Sequence, residues 1–225
     1  MTSYDVVTMG ETMIRFTPPD LLRIEQTLSF DIHVGGTESN TAVGLSRLGM
    51  NVAWISRLPD SPLGKYVRNR VQQYGVDTSH VVWSATDRLG TYFLELAKAP
   101  RPSQIIYDRQ DSAMSRMQPD ELPDDLFVEG ESKLLHVTGI TLAIGDGANA
   151  TAHEAIKRAK DAGWLVGFDT NYRSKLWSPE EAVAGCDPAM KQADIIFCPM
   201  GDFRVMYGDK TPDDAIVELA EKYPN

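Results

Sequence analysis

The spacing of hydrophobic residues alternates along the chain between two patterns, one typical of buried strands and one typical of helices. Short apolar runs closed by glycine or a polar residue predict buried strands of a parallel sheet, at 6–10, 51–57, 76–83, 134–140, 164–168 and 194–198. Between them, apolar residues at helical spacing predict helices, at 37–48, 64–74, 148–162 and 179–184. Strands that alternate with helices in this way indicate an α/β fold.

Two further stretches read as short strands outside this alternation. Residues 13–34 are broken by Pro18-Pro19 and then alternate loosely, which argues against a helix. Residues 91–96 and 104–107 flank a segment with two prolines, a pattern typical of a hairpin. No repeat, long linker or low-complexity tract divides the chain, so residues 1–225 are expected to form one domain.

A pair of glycines, Gly35-Gly36, separates the stretch at 13–34 from the first predicted helix. Thr37 or Ser39 is expected to cap that helix, and its first turn offers free N–H groups to an anion or to sugar hydroxyls. Asn40 adds an amide that donates and accepts. Taken alone, such glycines more often mark a tight turn that lets helix and sheet pack closely.

The wider pattern resembles the PfkB or ribokinase-like sugar kinases. It runs from Gly-Gly-x-x-x-Asn-x-Ala through Leu-Ser-Arg-Leu-Gly to Gly64, and the likeness is greatest to the 2-keto-3-deoxygluconate kinases. The matching stretches further along are 107–109 with 112–113, 136–141, and 168–173 running on to 176–180. The resemblance implies a three-layer αβα sandwich with a small β-sheet lid, whose strands lie at about 13–34 and 90–109.

The resemblance also implies which residues bind the substrate, a sugar acid. These are Glu11, Gly35, Gly36, Asn40, Tyr92, Tyr107, Arg109, Ile140 and Arg173. Arg109 and Arg173 are expected to bind the carboxylate, because the guanidinium fork matches its two oxygens. Asp169, Asn171 and Asp202 are expected on the phosphate and nucleotide side.

Ordinary structural roles compete with several of these assignments. Each arginine alone is more often a solvated surface residue, and Glu11 is as readily an exposed turn carboxylate. Asp169 and Asn171 suit an Asx-turn equally well. His136, on an apolar strand, reads as a core residue rather than a base.

Two departures from the family pattern concern phosphoryl transfer. The glycine-rich Asp-Thr-x-Gly-Ala-Gly-Asp motif, whose last residue is the family's base, does not occur, so the base is expected beyond Asn225. Pro199-Met200-Gly201-Asp202 stands where the family has acidic residues that help to hold magnesium. The chain is therefore expected to be the N-terminal portion of a kinase that uses ATP and Mg²⁺, inactive alone and without a metal site of its own.

Charge and cysteine content restrict partners and compartment. The net charge of −10 opposes binding to nucleic acid or an anionic membrane surface. Cys186 and Cys198 fit neither a zinc motif nor a disulfide framework, which indicates reduced thiols and a cytoplasmic protein. The family likeness implies a homodimer formed through the lid.

The sequence thus predicts a kinase that transfers the ATP γ-phosphoryl to a hydroxyl of a sugar acid, 2-keto-3-deoxygluconate first among them. A fructokinase-like or ribokinase-like enzyme is the first alternative. A truncated, non-catalytic sugar-binding module is the second.

Overall fold

The computed structural model describes residues 3–224, which form ten strands and seven α-helices. The strands are β1 (Val6–Met9), β2 (Met13–Thr17), β3 (Asp31–Gly35), β4 (Val52–Pro59), β5 (Val81–Ser84), β6 (Thr91–Glu95), β7 (Gln104–Asp108), β8 (Leu134–Thr138), β9 (Leu165–Asp169) and β10 (Ile195–Phe197). The helices are α1 (Thr37–Arg47), α2 (Pro62–Gln72), α3 (Gly139–Ala143), α4 (Asp146–Asp161), α5 (Pro179–Met190), α6 (Met200–Tyr207) and α7 (Pro212–Lys222).

Six strands form a parallel sheet in the order β10-β9-β8-β1-β4-β5. Successive residues of β1 enter different apolar clusters: Val6 packs with α1 and α2, and Val7 packs with α4 and α5. Trp54 and Ile55 of β4 divide in the same way. Because successive side chains of a strand point to opposite faces, helices cover both faces of the sheet, as the predicted three-layer sandwich requires.

The other four strands form a second sheet in the order β3-β2-β6-β7. All four lie within, or one residue beyond, the stretches expected to form the lid. The predicted hairpin is present, since β6 and β7 pair in antiparallel register with Tyr92 opposite Tyr107. The carboxyl end of β1 is four residues from β2, which places the second sheet at the carboxyl edge of the first.

Two of the strand boundaries that differ from the sequence prediction have a local hydrogen-bonding cause. The strand predicted at 134–140 ends at Thr138, whose hydroxyl accepts a hydrogen bond from the amide of Ile140 (3.2 Å) and so caps α3. The strand predicted from residue 76 begins at Val81, because Asp77 accepts a bond from the Ser79 amide (2.8 Å) and starts a turn.

The cap of α1 and the end of α5 also differ from the prediction. Neither Thr37 nor Ser39 caps α1: its N-cap is Gly36 without a side-chain bond, and the Ser39 hydroxyl instead donates to the Gly36 carbonyl (3.1 Å). Helix α5 continues six residues beyond its predicted end, to Met190. Within residues 3–224, no helix is both long and apolar enough to cross a bilayer.

Candidate functional site

A cavity of about 210 Å³ lies between the second sheet and the carboxyl edge of the first. All nine residues predicted to bind the substrate line it: Glu11, Gly35, Gly36, Asn40, Tyr92, Tyr107, Arg109, Ile140 and Arg173. The structure therefore brings residues from six separate parts of the chain into one cavity.

Four lining residues were missed by the sequence analysis: Met13, Thr37, Leu94 and Ile105. Leu94 and Ile105 lie two positions from Tyr92 and Tyr107 on β6 and β7. Side chains two apart on a strand share a face, so the period of the strand was a signal that could have found both.

Glu11 lies just past the end of β1 and is buried rather than an exposed turn residue. One of its carboxylate oxygens, Oε2, forms an ion pair with a terminal guanidinium nitrogen of Arg109, whose side chain is also mostly buried. The other oxygen, Oε1, is buried and has no hydrogen-bond partner, and neither has Nε of Arg109. The ion pair thus leaves one buried acceptor and one buried donor without partners, an arrangement that is costly unless another group contacts them.

Arg173 follows β9 and is exposed at the cavity. Within residues 3–224 the guanidinium of Arg173 makes one hydrogen bond, from Nη1 to the carbonyl of Tyr172 (2.8 Å), so most of its donors are uncommitted. The charged residues of the lining are Glu11, Arg109 and Arg173, which gives the cavity a net charge of +1 in a chain of net charge −10. This local charge favours an anionic ligand.

Tyr92 and Tyr107 form the aromatic wall of the cavity, with ring centroids 5.7 Å apart. Burial raises the pKa of the Tyr92 hydroxyl, which stays a neutral donor and acceptor. Gly35 leaves room for this wall, because an added Cβ would lie 2.5 Å from the Tyr92 hydroxyl and would displace it. The tyrosines thus present apolar ring faces with polar hydroxyls, which suits a sugar.

A fully buried carboxyl group, that of Glu38, lies on the first turn of α1 beside the glycine pair. Its Oε1 accepts hydrogen bonds from the hydroxyls of Thr138 (2.8 Å) and Thr141 (2.6 Å). Burial raises the pKa of Glu38 above its ordinary value. The bonds tie the start of α1 to the end of β8 and to α3, and therefore fix Gly36 relative to Ile140 across the cavity.

The three residues predicted on the phosphate side lie together beyond β9. Asp169 accepts from the amide of Asn171 (3.2 Å) in an Asx-turn, the alternative that the sequence left open. Oδ2 of Asp202 accepts from the Thr170 hydroxyl (2.9 Å) and the Tyr172 amide (2.8 Å). These carboxylates hold the loop that carries Arg173.

The same residues do not form a complete magnesium site by themselves. In the part of the chain that the structure describes, no three His, Cys, Asp or Glu side chains are grouped so that they could hold a metal ion. Met200, beside Asp202, offers no oxygen ligand, and Mg²⁺ prefers oxygen. No step is therefore assigned to a metal ion held by these residues.

The two cysteines and His136 lie outside the cavity. Both thiols are free, and burial raises the pKa of Cys186 to about 12, so this thiol is unreactive. His136 is buried on β8, where desolvation lowers its pKa. It is the core residue that the sequence indicated.

Comparison with known proteins identifies the class. The family model for pfkB family carbohydrate kinases matches residues 3–224. A 2-dehydro-3-deoxygalactonokinase from Haloferax volcanii is 41% identical over 202 residues, which are 90% of this chain and 63% of that protein. The chain belongs to the PfkB family of carbohydrate kinases, and it spans less than two thirds of the length of that relative.

Solved structures agree with this assignment. The crystal structure of a 2-dehydro-3-deoxygluconokinase from Thermotoga maritima superimposes with a TM-score of 0.92 at 33% identity, covering 98% of this chain and 69% of that one. An uncharacterized sugar kinase from Pyrococcus horikoshii, in complex with ATP, has a TM-score of 0.76 at 27% identity, covering 85% and 62%. The fold is thus that of ribokinase-like sugar kinases, as predicted from the glycine-pair motif.

Proposed function

We propose that this chain carries the sugar-acid site of an ATP-dependent kinase that phosphorylates a hydroxyl of 2-keto-3-deoxygluconate or its galactose-derived epimer. The observation that carries the proposal is the net positive cavity, in which Glu11 already neutralises Arg109 and the guanidinium of Arg173 stays uncommitted. The names of the two similar kinases, one for each epimer, support the same substrate class.

In this proposal each polar group has a separate task. Arg173 binds the substrate carboxylate through parallel hydrogen bonds, and Nε of Arg109 donates to the same end of the sugar. Oε1 of Glu11 accepts a hydrogen bond from a sugar hydroxyl, and the ion pair with Arg109 holds this carboxylate in place. Gly36 and Asn40, at the start of α1, contact the remaining hydroxyls.

ATP, Mg²⁺, a homodimer formed through the lid and a cytoplasmic location belong to the same proposal. ATP use follows the family and the ATP complex of the Pyrococcus horikoshii kinase. Mg²⁺ would accompany ATP, held in large part by the phosphates and by water. The two free thiols suit a reducing compartment.

Calorimetric titration of the chain tests the substrate class. Both 2-keto-3-deoxy sugar acids should bind, and D-fructose, which lacks the carboxylate, should bind at least about tenfold more weakly, the equivalent of one charge-assisted hydrogen bond. Equal affinity for fructose and the acids would favour the fructokinase-like alternative. Absence of binding by either acid would reject the proposal.

A further inference from the structure

Lys175 bridges the two sheets at the outer side of the cavity. It lies in the loop after β9, and its ammonium group donates a hydrogen bond to the carbonyl of Ile105 on β7, 70 positions earlier in the chain. The same ammonium lies 5.5 Å from the centroid of the Tyr107 ring, within range of a cation–π interaction. One side chain of the main-sheet region therefore contacts both the backbone and a ring of the second sheet.

The contacted residues belong to a wall between two cavities. Outside the 210 Å³ cavity lies a larger one of about 1020 Å³, and the two share Ile105, Tyr107, Arg109 and Arg173. Lys175 lines the larger cavity and not the smaller one. It therefore holds the wall from outside, without facing a ligand in the inner cavity.

Strand β7 depends on such contacts because it is an edge strand of the second sheet, paired with β6 alone. Along its open side the backbone groups have no partner strand. At its carboxyl end β7 is anchored by Arg88, which donates to Asp108 (2.6 Å), and by the Glu11–Arg109 pair. At the Ile105 end, Lys175 supplies the corresponding anchor.

We propose that Lys175 is a positioning residue that latches β7 against the main sheet and so closes the wall of the sugar site. The role in sugar binding rests on the function proposed above, whereas the latch itself does not. Without this contact Ile105 and Tyr107 become more mobile, and every ligand that packs on them binds more weakly. Because the ammonium acts through the wall and does not contact the ligand, the loss of affinity is the same for charged and neutral ligands.

Hydrogen exchange of the free chain tests the latch directly. Lys175→Met keeps the length of the side chain and removes its donor, and amide exchange over residues 104–108 should become several-fold faster. Lys175→Arg, which restores a donor, should return exchange most of the way to wild type. Lys157→Met, in an exposed pair with Asp161 on α4, is the matched control and should leave these amides unchanged.

Calorimetry on the same variants tests the consequence for binding. With Lys175→Met, the dissociation constant for 2-keto-3-deoxygluconate should rise by about three- to tenfold, as expected for one charged hydrogen bond at an exposed site. Lys175→Arg should recover most of the affinity.

Several results would overturn the latch. Unchanged exchange over 104–108 in Lys175→Met rejects it, whatever happens to binding. Weaker acid binding with unchanged exchange would mean that Lys175 contacts the carboxylate itself. If the wild-type chain binds neither acid, the proposed function fails, and the exchange comparison still decides whether the latch exists.

Discussion

The two arginines of the cavity have different surroundings and should respond differently to substitution. Arg173→Lys loses the planar fork, and we expect acid binding to weaken by about 1.5–3 kcal/mol while neutral sugars are little affected. Arg109→Lys also disturbs the ion pair that positions Glu11, which accepts a hydrogen bond from a sugar hydroxyl in our proposal. The binding of acids and of neutral sugars should therefore weaken together. Titration of both variants with 2-keto-3-deoxygluconate and D-fructose makes the comparison. A similar pattern for the two variants would contradict this division of tasks.

The buried carboxyl of Glu38 should make stability depend on pH. Because burial raises its pKa above 4.5, the folded chain keeps a proton that the unfolded chain loses as pH rises. The contribution of this group to the free energy of unfolding is therefore full below pH 4.5 and declines as pH rises toward the folded-state pKa. Glu38→Gln is neutral throughout, so it should gain stability relative to wild type with rising pH.

Urea unfolding of wild type and Glu38→Gln at a series of pH values measures this difference. Exposed Glu129→Gln is the matched control. A difference between Glu38→Gln and wild type that stays constant with pH would show that Glu38 binds no extra proton in the folded state.

At the scale of elements, the start of α1 depends on close backbone approach. A Cβ at Gly36 would overlap the carbonyl of Glu11 and lie 2.7 Å from the Thr12 hydroxyl, whereas one at Gly44, in the same helix, would meet nothing within 4 Å. Gly36→Ala should therefore destabilise the chain by about 1–3 kcal/mol. Gly44→Ala should stabilise it by about 0.5–1 kcal/mol. Thermal unfolding measures both, and equal effects would contradict the packing argument.

The second sheet carries a row of apolar side chains on the face away from the cavity. Ile32, Phe16, Phe93 and Ile106 lie opposite one another across its four strands, and the two isoleucines at the ends are about half exposed. We expect this row to associate with a second copy, as the resemblance implies. Light scattering at high micromolar concentration should show a dimer that Ile106→Lys weakens.

Leu63→Lys, at an equally exposed leucine of α2, is the control for that dimer and should leave it intact. A monomer at all concentrations would reject association through the lid.

The sequence predicted elements and site best where one local pattern decided them. Six of the nine predicted cavity residues were found because the glycine-pair motif and the motifs at 107–109 and 168–173 follow the family, and Glu11, Tyr92 and Ile140 came from other matching positions. Helix α5 was ended too early because Gly185 reads as a stop, yet it is there for packing, since its added Cβ would lie 2.6 Å from the Trp177 ring.

Contacts between distant segments were the part that the sequence could not supply. The pairing of Glu11 with Arg109, the hydroxyls around Glu38 and the bond from Lys175 to Ile105 join residues about 70 to 103 positions apart. No spacing along the chain encodes such pairs, because they depend on how the two sheets meet.

At the scale of the whole molecule, we expect sugar binding without turnover. The sequence holds no glycine-rich Asp-Thr-x-Gly-Ala-Gly-Asp motif, and the one carboxylate of the cavity lining is committed through Oε2 to Arg109. Positioning of the phosphoryl group and a free base are what an enzyme adds to this reaction. Incubation of the 225-residue chain with acid, ATP and Mg²⁺ should give no phosphorylated sugar above background. Measurable turnover would show that another group serves as base.

The place of β1 in the middle of the main sheet has a consequence for the order in which the chain folds. Its neighbours are β4, which begins at Val52, and β8, which begins at Leu134. During synthesis β1, β4 and β5 can pair with one another and pack against α1 and α2 as soon as residue 84 has left the ribosome. The other edge of β1 stays unpaired until about fifty more residues, up to the start of β8, have been made. At ordinary rates of translation this takes several seconds. The nascent chain therefore carries an open strand edge through that interval, and such an edge is prone to aggregation unless a chaperone covers it.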